Sequence, residues 1–222
     1  MDKDYMNNKI IVSGIIGLLA SVLVGIGEYL LHYDPLARFN DGGFLFMQGI
    51  NDGRTTLGHF FGVFGATMYT IGCYHIYLML RPANETAALS AFFIGAFGFI
   101  LGAVWIGSRA SISALMQLPL TPEIESLVQL YELRYETLLT VVRITALILS
   151  LIIIWLSMTG RSYYPRWMAV LNPFVLIIAS FLIYLIAPQI GKHMMPIALN
   201  IAFFIFFALS LMHARATTTS EE

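Results

Sequence analysis

The chain has few charged residues and almost no cysteine, and both shortages exclude classes of protein. Only 11% of its 222 residues are charged, whereas 58% are hydrophobic. A soluble globular domain carries about 25% charged residues, so this composition is not that of one. The 12 Lys and Arg against 13 Asp and Glu give a formal net charge of -1, without the basic excess typical of nucleic-acid binding. The single cysteine, Cys73, cannot form an intrachain disulfide.

Long apolar runs occupy most of the chain. A helix needs about 20 mostly apolar residues to cross a bilayer. Runs of that length lie near residues 10–32, 56–80, 87–108, 138–158, 167–187 and 194–213. The sequence therefore predicts one all-α domain over residues 1–222, a polytopic membrane protein built as a six-transmembrane-helix bundle. We expect the fourth helix to begin early, at about residue 122, because Thr121-Pro122-Glu123 is typical of a helix start.

Basic residues favour one orientation by a small margin. An even number of spans places both termini on the same side. That side would carry Lys3, Lys9, Arg81, Arg161, Arg166 and Arg215, and the opposite side Arg38, Arg54, Arg109, Arg134 and Lys192. Cytoplasmic loops carry the excess of Lys and Arg, so we expect both termini in the cytoplasm.

Glu28 and His32 lie near the end of the first apolar run. Their spacing of four residues places them one above the other on one helix face. An ionisable side chain inside hydrocarbon normally faces the protein interior or a water-filled cavity. The same face continues through small residues that are typical of packed helix interfaces: Gly14, Gly17, Ser21 and Gly25. We therefore expect both side chains to point toward other helices.

Polar side chains from other spans are expected at the same depth. Because successive spans alternate in direction, the ends of the first and third lie level with the beginnings of the second, fourth and sixth. The side chains at this level are His59 of the second span, Arg109 of the third, Glu136 and Arg143 of the fourth, and His193 and Asn200 of the sixth. The sequence therefore predicts a polar cavity in the outer leaflet.

One interpretation of this cavity is a metal-dependent enzyme. Histidine and carboxylate side chains are the ligands that zinc prefers, and a catalytic site keeps one position for water. We expect His32, His59 and His193 to bind zinc or another divalent metal, with Glu28 and Glu136 as catalytic carboxylates. The metal would acidify its bound water to a nucleophile near neutral pH.

The remaining polar residues would bind the substrate. A guanidinium binds phosphate or carboxylate with two parallel hydrogen bonds, so Arg109 and Arg143 are predicted to bind such a group, together with Asn200. A lipid-like or amphipathic molecule is the natural ligand at this depth, and its hydrolysis would be the reaction.

Two alternatives remain open. The cavity would serve a small-molecule transporter, or the charges would be only ion pairs that lock the helices together. Haem is disfavoured, because paired histidine ligands would require His59 and His75, 16 residues apart, on the same side of one helix. The loop at residues 33–55 contains Gly42-Gly43-Phe44-Leu45-Phe46, which would either cover the polar layer or lie along the membrane surface.

Three segments together resemble an uncharacterised family of bacterial six-span membrane proteins. They are Gly25-Ile-Gly-Glu28-Tyr-Leu-Leu, Arg54-Thr-Thr-Leu-Gly-His59 and Tyr164-Pro-Arg-Trp-Met-Ala-Val-Leu-Asn172-Pro. The resemblance covers nearly the whole chain and implies a bacterial inner-membrane protein without an established activity. The chain is more loosely similar to alkaline-ceramidase and adiponectin-receptor type membrane hydrolases, which hold zinc with three histidines. Those proteins have seven spans and an HxxxH pair, and this chain departs from both.

Overall fold

The computed structural model describes residues 3–38 and 43–219, and no strand occurs in that part of the chain. The helices are α1 (Lys3–His32), α2 (Asp52–Leu80), α3 (Glu85–Leu115), α4 (Pro122–Met158), α5 (Pro173–Ile186), α6 (Pro188–Met194) and α7 (Ala198–Thr219). Five segments are long and apolar enough to cross a membrane: α1 from Tyr5, α2, α3, α4 and the continuous stretch Pro188–Ala214. The prediction of an all-helical membrane protein is confirmed, whereas a count of six spans is not.

Helices α1 and α2 form an antiparallel pair in very close contact. A Cβ atom added at Gly27 of α1 would lie 2.8 Å from the carbonyl oxygen of Gly58, and one added at Gly17 would lie 3.0 Å from the Cα of Gly72. Glycine allows two helix backbones to approach in this way. The predicted small-residue face of α1 is buried, and its glycines meet both α2 and α7: Gly14 lies against His75 and Leu211, and Gly25 against Asn200.

Helices α3, α4 and α7 complete the core. On α3, Gly95 faces Leu149 of α4, and Gly98 faces Thr145 one turn earlier on α4, so these two helices are also antiparallel. The aromatic rings of Phe206 and Phe207 on α7 are fully buried. This packing brings the end of α1, the end of α3 and the beginning of α7 to the same end of the bundle.

A buried histidine joins α1, α2 and α7 in the other half of the bundle. The ring of His75 is fully buried, with Nδ1 2.8 Å from the carbonyl oxygen of Ile10 and Nε2 2.6 Å from the hydroxyl of Ser210. Both ring nitrogens have partners, so His75 stabilises the junction of the three helices.

The predicted fifth span is shorter in the structure. Residues 166–169 form a 3-10 turn, and α5 begins only at Pro173, with the side chain of Asn172 accepting hydrogen bonds from the backbone of Phe174 (3.0 Å) and Val175 (3.3 Å). Asn172-Pro173 is thus a helix start, not part of a helix interior. The 14 residues of α5 measure about 21 Å, less than the roughly 30 Å of a bilayer's hydrocarbon.

The predicted sixth span is divided. Helix α6 ends at Met194, a 3-10 turn at Met195–Ile197 contains Pro196, and α7 continues from Ala198. His193 therefore belongs to α6, ahead of the long helix that carries Asn200. The beginning of α4 is as predicted, since the hydroxyl of Thr121 accepts a hydrogen bond from the backbone of Ile124 at 3.4 Å.

Candidate functional site

A buried polar network connects five helices near the end of α1. Glu28 and Arg109 are 5% and 1% exposed, and Glu28 Oε1 lies 3.8 Å from Arg109 Nη2. The same Nη2 donates a hydrogen bond to the hydroxyl of Tyr135 at 3.0 Å. The amide nitrogen of Asn200 donates to Glu28 Oε2, and its oxygen accepts from the hydroxyl of Tyr69 at 2.9 Å. Side chains from α1, α3, α4 and α7 thus meet around one carboxylate, with α2 contributing Tyr69.

The guanidinium of Arg109 has fewer partners than it can bind. Its central carbon lies 3.8 Å from the ring centroid of Trp105, one helical turn earlier, and 5.6 Å from that of Tyr135. Within the described part of the chain, Nε and Nη1 of Arg109 and Nε1 of Trp105 are buried without a hydrogen-bond acceptor. A buried donor without an acceptor costs about 1–3 kcal/mol, more if it is charged. The site therefore has an excess of hydrogen-bond donors.

A cavity of about 550 Å³ lies beside this network, and we call it the Arg109 cavity. Small-molecule pockets in proteins measure roughly 300–1,000 Å³. Its polar lining consists of Glu28, His32, Trp105, Arg109, Glu132, Tyr135, Glu136 and Arg143. Its apolar lining comes chiefly from α5 (Phe174, Ile177, Ile178 and Phe181), α4 (Leu139, Val142 and Ala146), the residues Met195, Pro196, Ala198 and Leu199, and two rings of the preceding loop, Phe44 and Phe46. The cavity is thus amphipathic.

The loop between α1 and α2 contributes part of the cavity wall. Phe44 and Phe46 are buried, and the ring of Phe44 packs edge-on against Tyr135 at 5.1 Å. The carboxylate of Glu132 accepts a hydrogen bond from the backbone of Gly43 at 3.0 Å, and the side chain of Gln117 donates to the carbonyl oxygen of Met47 at 2.9 Å. The loop therefore covers the polar layer, one of the two roles expected for it.

The end of α1 is held by an arginine of α2. Arg54 Nε donates to the carbonyl oxygen of Leu30, and Nη2 donates to that of Tyr33 at 2.6 Å. The last carbonyl groups of a helix have no partner within it, so these bonds fix the final turn. That turn follows directly after Glu28 and contains His32, so Arg54 positions both side chains.

An ion pair lies in the loop just beyond α1. Arg38 Nε donates to Asp34 Oδ2 and Nη2 donates to Oδ1, both at 2.9 Å. These hydrogen bonds lower the pKa of the Asp34 carboxyl below its usual value. Asp34 is therefore a charged, paired residue outside the membrane-spanning segments.

Most of the predicted site residues lie at the cavity. Glu28, His32, Arg109, Glu136 and Arg143 all line it. Asn200 lies one hydrogen bond behind Glu28. His59 and His193 are not among the residues that line the cavity.

The predicted zinc ligands are not brought together. Among the described residues, no three His, Cys, Asp or Glu side chains are grouped so that they could hold a metal ion. Each predicted histidine contacts a different aromatic ring: His32 contacts Phe46, His193 stacks on Tyr33 and His59 packs edge-on against Phe60. The three rings have different neighbours, so the described structure does not group the predicted histidines as metal ligands.

Sequence reasoning misses the two aromatic residues that contact Arg109, and it also misses Tyr69, which bonds to Asn200. Trp105 and Tyr135 line the cavity and contact Arg109, but neither is an ionisable group of the kind that the prediction used. The available signal was spacing: Trp105 precedes Arg109 by one turn on the same helix face, and Tyr135 adjoins Glu136.

Comparison with known proteins gives one match. The model of a family described as a family of unknown function (DUF6796) matches residues 5–217. No curated protein and no solved structure matches the chain.

Proposed function

The chain belongs to DUF6796, a family of unknown function, and from the geometry of its site we propose that it binds an amphipathic, lipid-like molecule in the Arg109 cavity. One observation carries this proposal. The cavity combines buried hydrogen-bond donors at Arg109 and Trp105 that have no acceptor among the described residues with a wall of apolar side chains from α5.

The two kinds of lining suggest how the molecule would lie. Its polar head would be placed against Arg109, Trp105 and Tyr135, where an acceptor satisfies the buried donors. Its apolar part would lie between α4 and α5, against Leu139 and Phe174. Burial of apolar surface contributes about 25 cal/mol per Å², so a chain of several methylene groups adds substantially to affinity.

Access from the bilayer is consistent with the exposure of α5. Ile178 and Phe181 line the cavity and are 43% and 47% exposed. In a membrane such side chains contact lipid, so a molecule that diffuses within the outer leaflet would reach the cavity between α4 and α5 without crossing water. The outer-leaflet position and cytoplasmic termini belong to this proposal.

Tryptophan fluorescence provides a direct test. The chain has 3 tryptophans. Trp155 and Trp167 are 57% and 48% exposed, so replacing both with Phe leaves Trp105 as the only emitter without disturbing the core. We expect 6-bromoundecanoate or 6-bromoundecanol, added to this variant in lipid nanodiscs, to quench Trp105 saturably, because bromine quenches indole at short range and carbon 6 lies near the head that is placed against Trp105.

Two matched substitutions on α4 identify where the probe binds. Ala146→Phe fills part of the cavity and should weaken binding, whereas Thr140→Phe adds the same ring at an exposed position outside the lining and should not. Absence of saturable quenching by either probe, or equal quenching in both variants, would contradict the proposal.

Transport of the same kind of molecule is a second candidate. The helical stretch Pro188–Ala214 changes to a 3-10 turn at Met195–Ile197, and Met195, Pro196 and Ala198 at this turn line the cavity. Discontinuous helices at a binding site are common in transporters. Uptake of a brominated probe into proteoliposomes at a rate above that of protein-free vesicles would favour this candidate, and uptake unchanged by the protein would exclude it.

A further inference from the structure

We propose that the ligand of the Arg109 cavity carries a compact anionic head, a carboxylate or a phosphate monoester, which binds between Arg109 and Arg143. This inference rests on the proposed function, because it names the class of amphipathic molecule that the cavity takes. Its main support is the chemistry of the groups without partners. Three N–H donors of cavity-lining residues, Nε and Nη1 of Arg109 and Nε1 of Trp105, are buried without an acceptor among the described residues.

Arg109 is incompletely neutralised within the described part of the chain. A guanidinium is always charged and has five N–H donors. Its separation of 3.8 Å from Glu28 Oε1 exceeds the roughly 2.7–2.9 Å of a charge-assisted hydrogen bond. The other oxygen of Glu28 accepts from Asn200, so the carboxylate is shared between two partners. An anionic acceptor in the cavity would supply the close, charge-assisted hydrogen bonds that Glu28 does not make with Arg109.

The guanidinium is held in a fixed plane. The ring centroid of Trp105 lies 3.8 Å from the central carbon of the Arg109 guanidinium, and the hydroxyl of Tyr135 accepts a hydrogen bond from Arg109 Nη2. A donor group held in place before binding loses little conformational entropy when the ligand arrives. The arrangement therefore favours a compact acceptor that fits beside the plane of the guanidinium. A large, flexible head group would gain less from it.

A second cation lies on the cavity wall. Arg143 lines the cavity and is exposed, and it lies two helical turns beyond Glu136 on the same face of α4. Of the two other lining carboxylates, Glu132 accepts a hydrogen bond from the backbone of Gly43, and Glu136 is exposed. Glu136 would attract a cationic head, so the experiment includes one.

The experiment compares four probes that share one brominated chain. They are 6-bromoundecanoate, 6-bromoundecyl phosphate, 6-bromoundecanol and 6-bromoundecyl-trimethylammonium, each titrated against the Trp155→Phe/Trp167→Phe variant in nanodiscs of zwitterionic phosphatidylcholine. We expect at least one anion to bind about tenfold more tightly than the alcohol, since a hydrogen bond to a charged group contributes about 1.5–3 kcal/mol. The ammonium probe should bind more weakly than the alcohol.

Each result has a defined meaning. If the alcohol or the ammonium binds as tightly as both anions, the anionic head is refuted while amphipathic binding stands. If no probe quenches Trp105, the proposed function itself is refuted. Inorganic phosphate serves as the competitor. If phosphate at the same concentration as the probe released the bound probe, the anion alone would be recognised, and a lipid-like ligand would be refuted.

A variant tests the second cation without disturbing the core. Arg143→Gln replaces an exposed side chain and should weaken binding of the anions about threefold, the scale of an exposed charge pair, while leaving the alcohol unaffected. Equal weakening of anion and alcohol would refute the role of Arg143. Arg109→Lys keeps the charge but loses the planar donors, so it should weaken the anions more than Arg143→Gln does.

Discussion

Replacing Glu28 with Gln should destabilise the protein chiefly by leaving Arg109 as an uncompensated buried charge. Two unit charges at the observed 3.8 Å attract by about 4 kcal/mol at an effective dielectric constant near 20. Breaking a buried pair by removing one partner costs about 3–5 kcal/mol. Gln retains a carbonyl oxygen that can accept the hydrogen bond of Asn200, so we expect a loss of about 3 kcal/mol in the free energy of unfolding.

Three further variants, Tyr69→Phe, Arg109→Met and the double variant Glu28→Gln/Arg109→Met, separate the charge from the hydrogen bonds. Tyr69→Phe removes the hydroxyl that donates to Asn200 and keeps both charges, and hydrogen bonds of this kind inside membranes average about 0.6 kcal/mol. The double variant Glu28→Gln/Arg109→Met removes both charges and should cost about 2 kcal/mol less than the sum of its single variants. Unfolding by sodium dodecyl sulfate in mixed micelles measures all four changes. A cost below about 1 kcal/mol for Glu28→Gln, or strict additivity of the pair, would refute the reasoning.

Further variants test the packing and the loop. Gly27→Ala should lower the free energy of unfolding by about 2 kcal/mol because its methyl group would meet the backbone of α2, whereas Gly102→Ala, with nothing within 4 Å of its Cβ, should raise it by up to about 1 kcal/mol. The hydrogen bonds from Arg38 lower the pKa of Asp34 in the folded state. Their contribution to the free energy of unfolding is therefore present at neutral pH and is lost as the pH falls below about 4. Asp34→Asn should therefore lower the melting temperature at pH 7, and the difference from the parent should shrink as the pH falls below about 4. Arg54→Ala should speed amide hydrogen exchange in the last turn of α1, and unchanged exchange would show that this turn needs no cap.

Local signals allowed some of the fold to be predicted. The beginning of α4 follows from Thr121-Pro122, because capping depends on a few adjacent residues. The same kind of signal at Asn172-Pro173 marks the beginning of α5, but it lies within a long apolar run, and the run suggested a continuous span. Hydropathy reports where a chain is apolar and does not report where a helix begins.

The candidate site was predictable in its charges but not in its contacts. A charged side chain in an apolar run has few places to lie, and Glu28, Arg109 and Arg143, which the sequence puts at one level, all line the Arg109 cavity. The three histidines show what such reasoning does not predict. The position of a residue along its helix does not determine which neighbouring side chain its ring contacts. Aromatic residues make up 14% of the chain, so nothing in the composition singled out Trp105 as the partner of Arg109.

The shortness of α5 has a consequence for the surrounding lipid. Its 14 residues end with Leu185 and Ile186, which are 73% and 83% exposed, so its apolar surface is about 9 Å shorter than the hydrocarbon of an ordinary bilayer. Such hydrophobic mismatch makes neighbouring acyl chains compress or tilt, at a cost of fractions of a kcal/mol per Å. The membrane would be thinnest where α5 meets it. A single lipid-like molecule would leave such a thin, disordered region for the cavity more readily than it would leave a well-ordered leaflet.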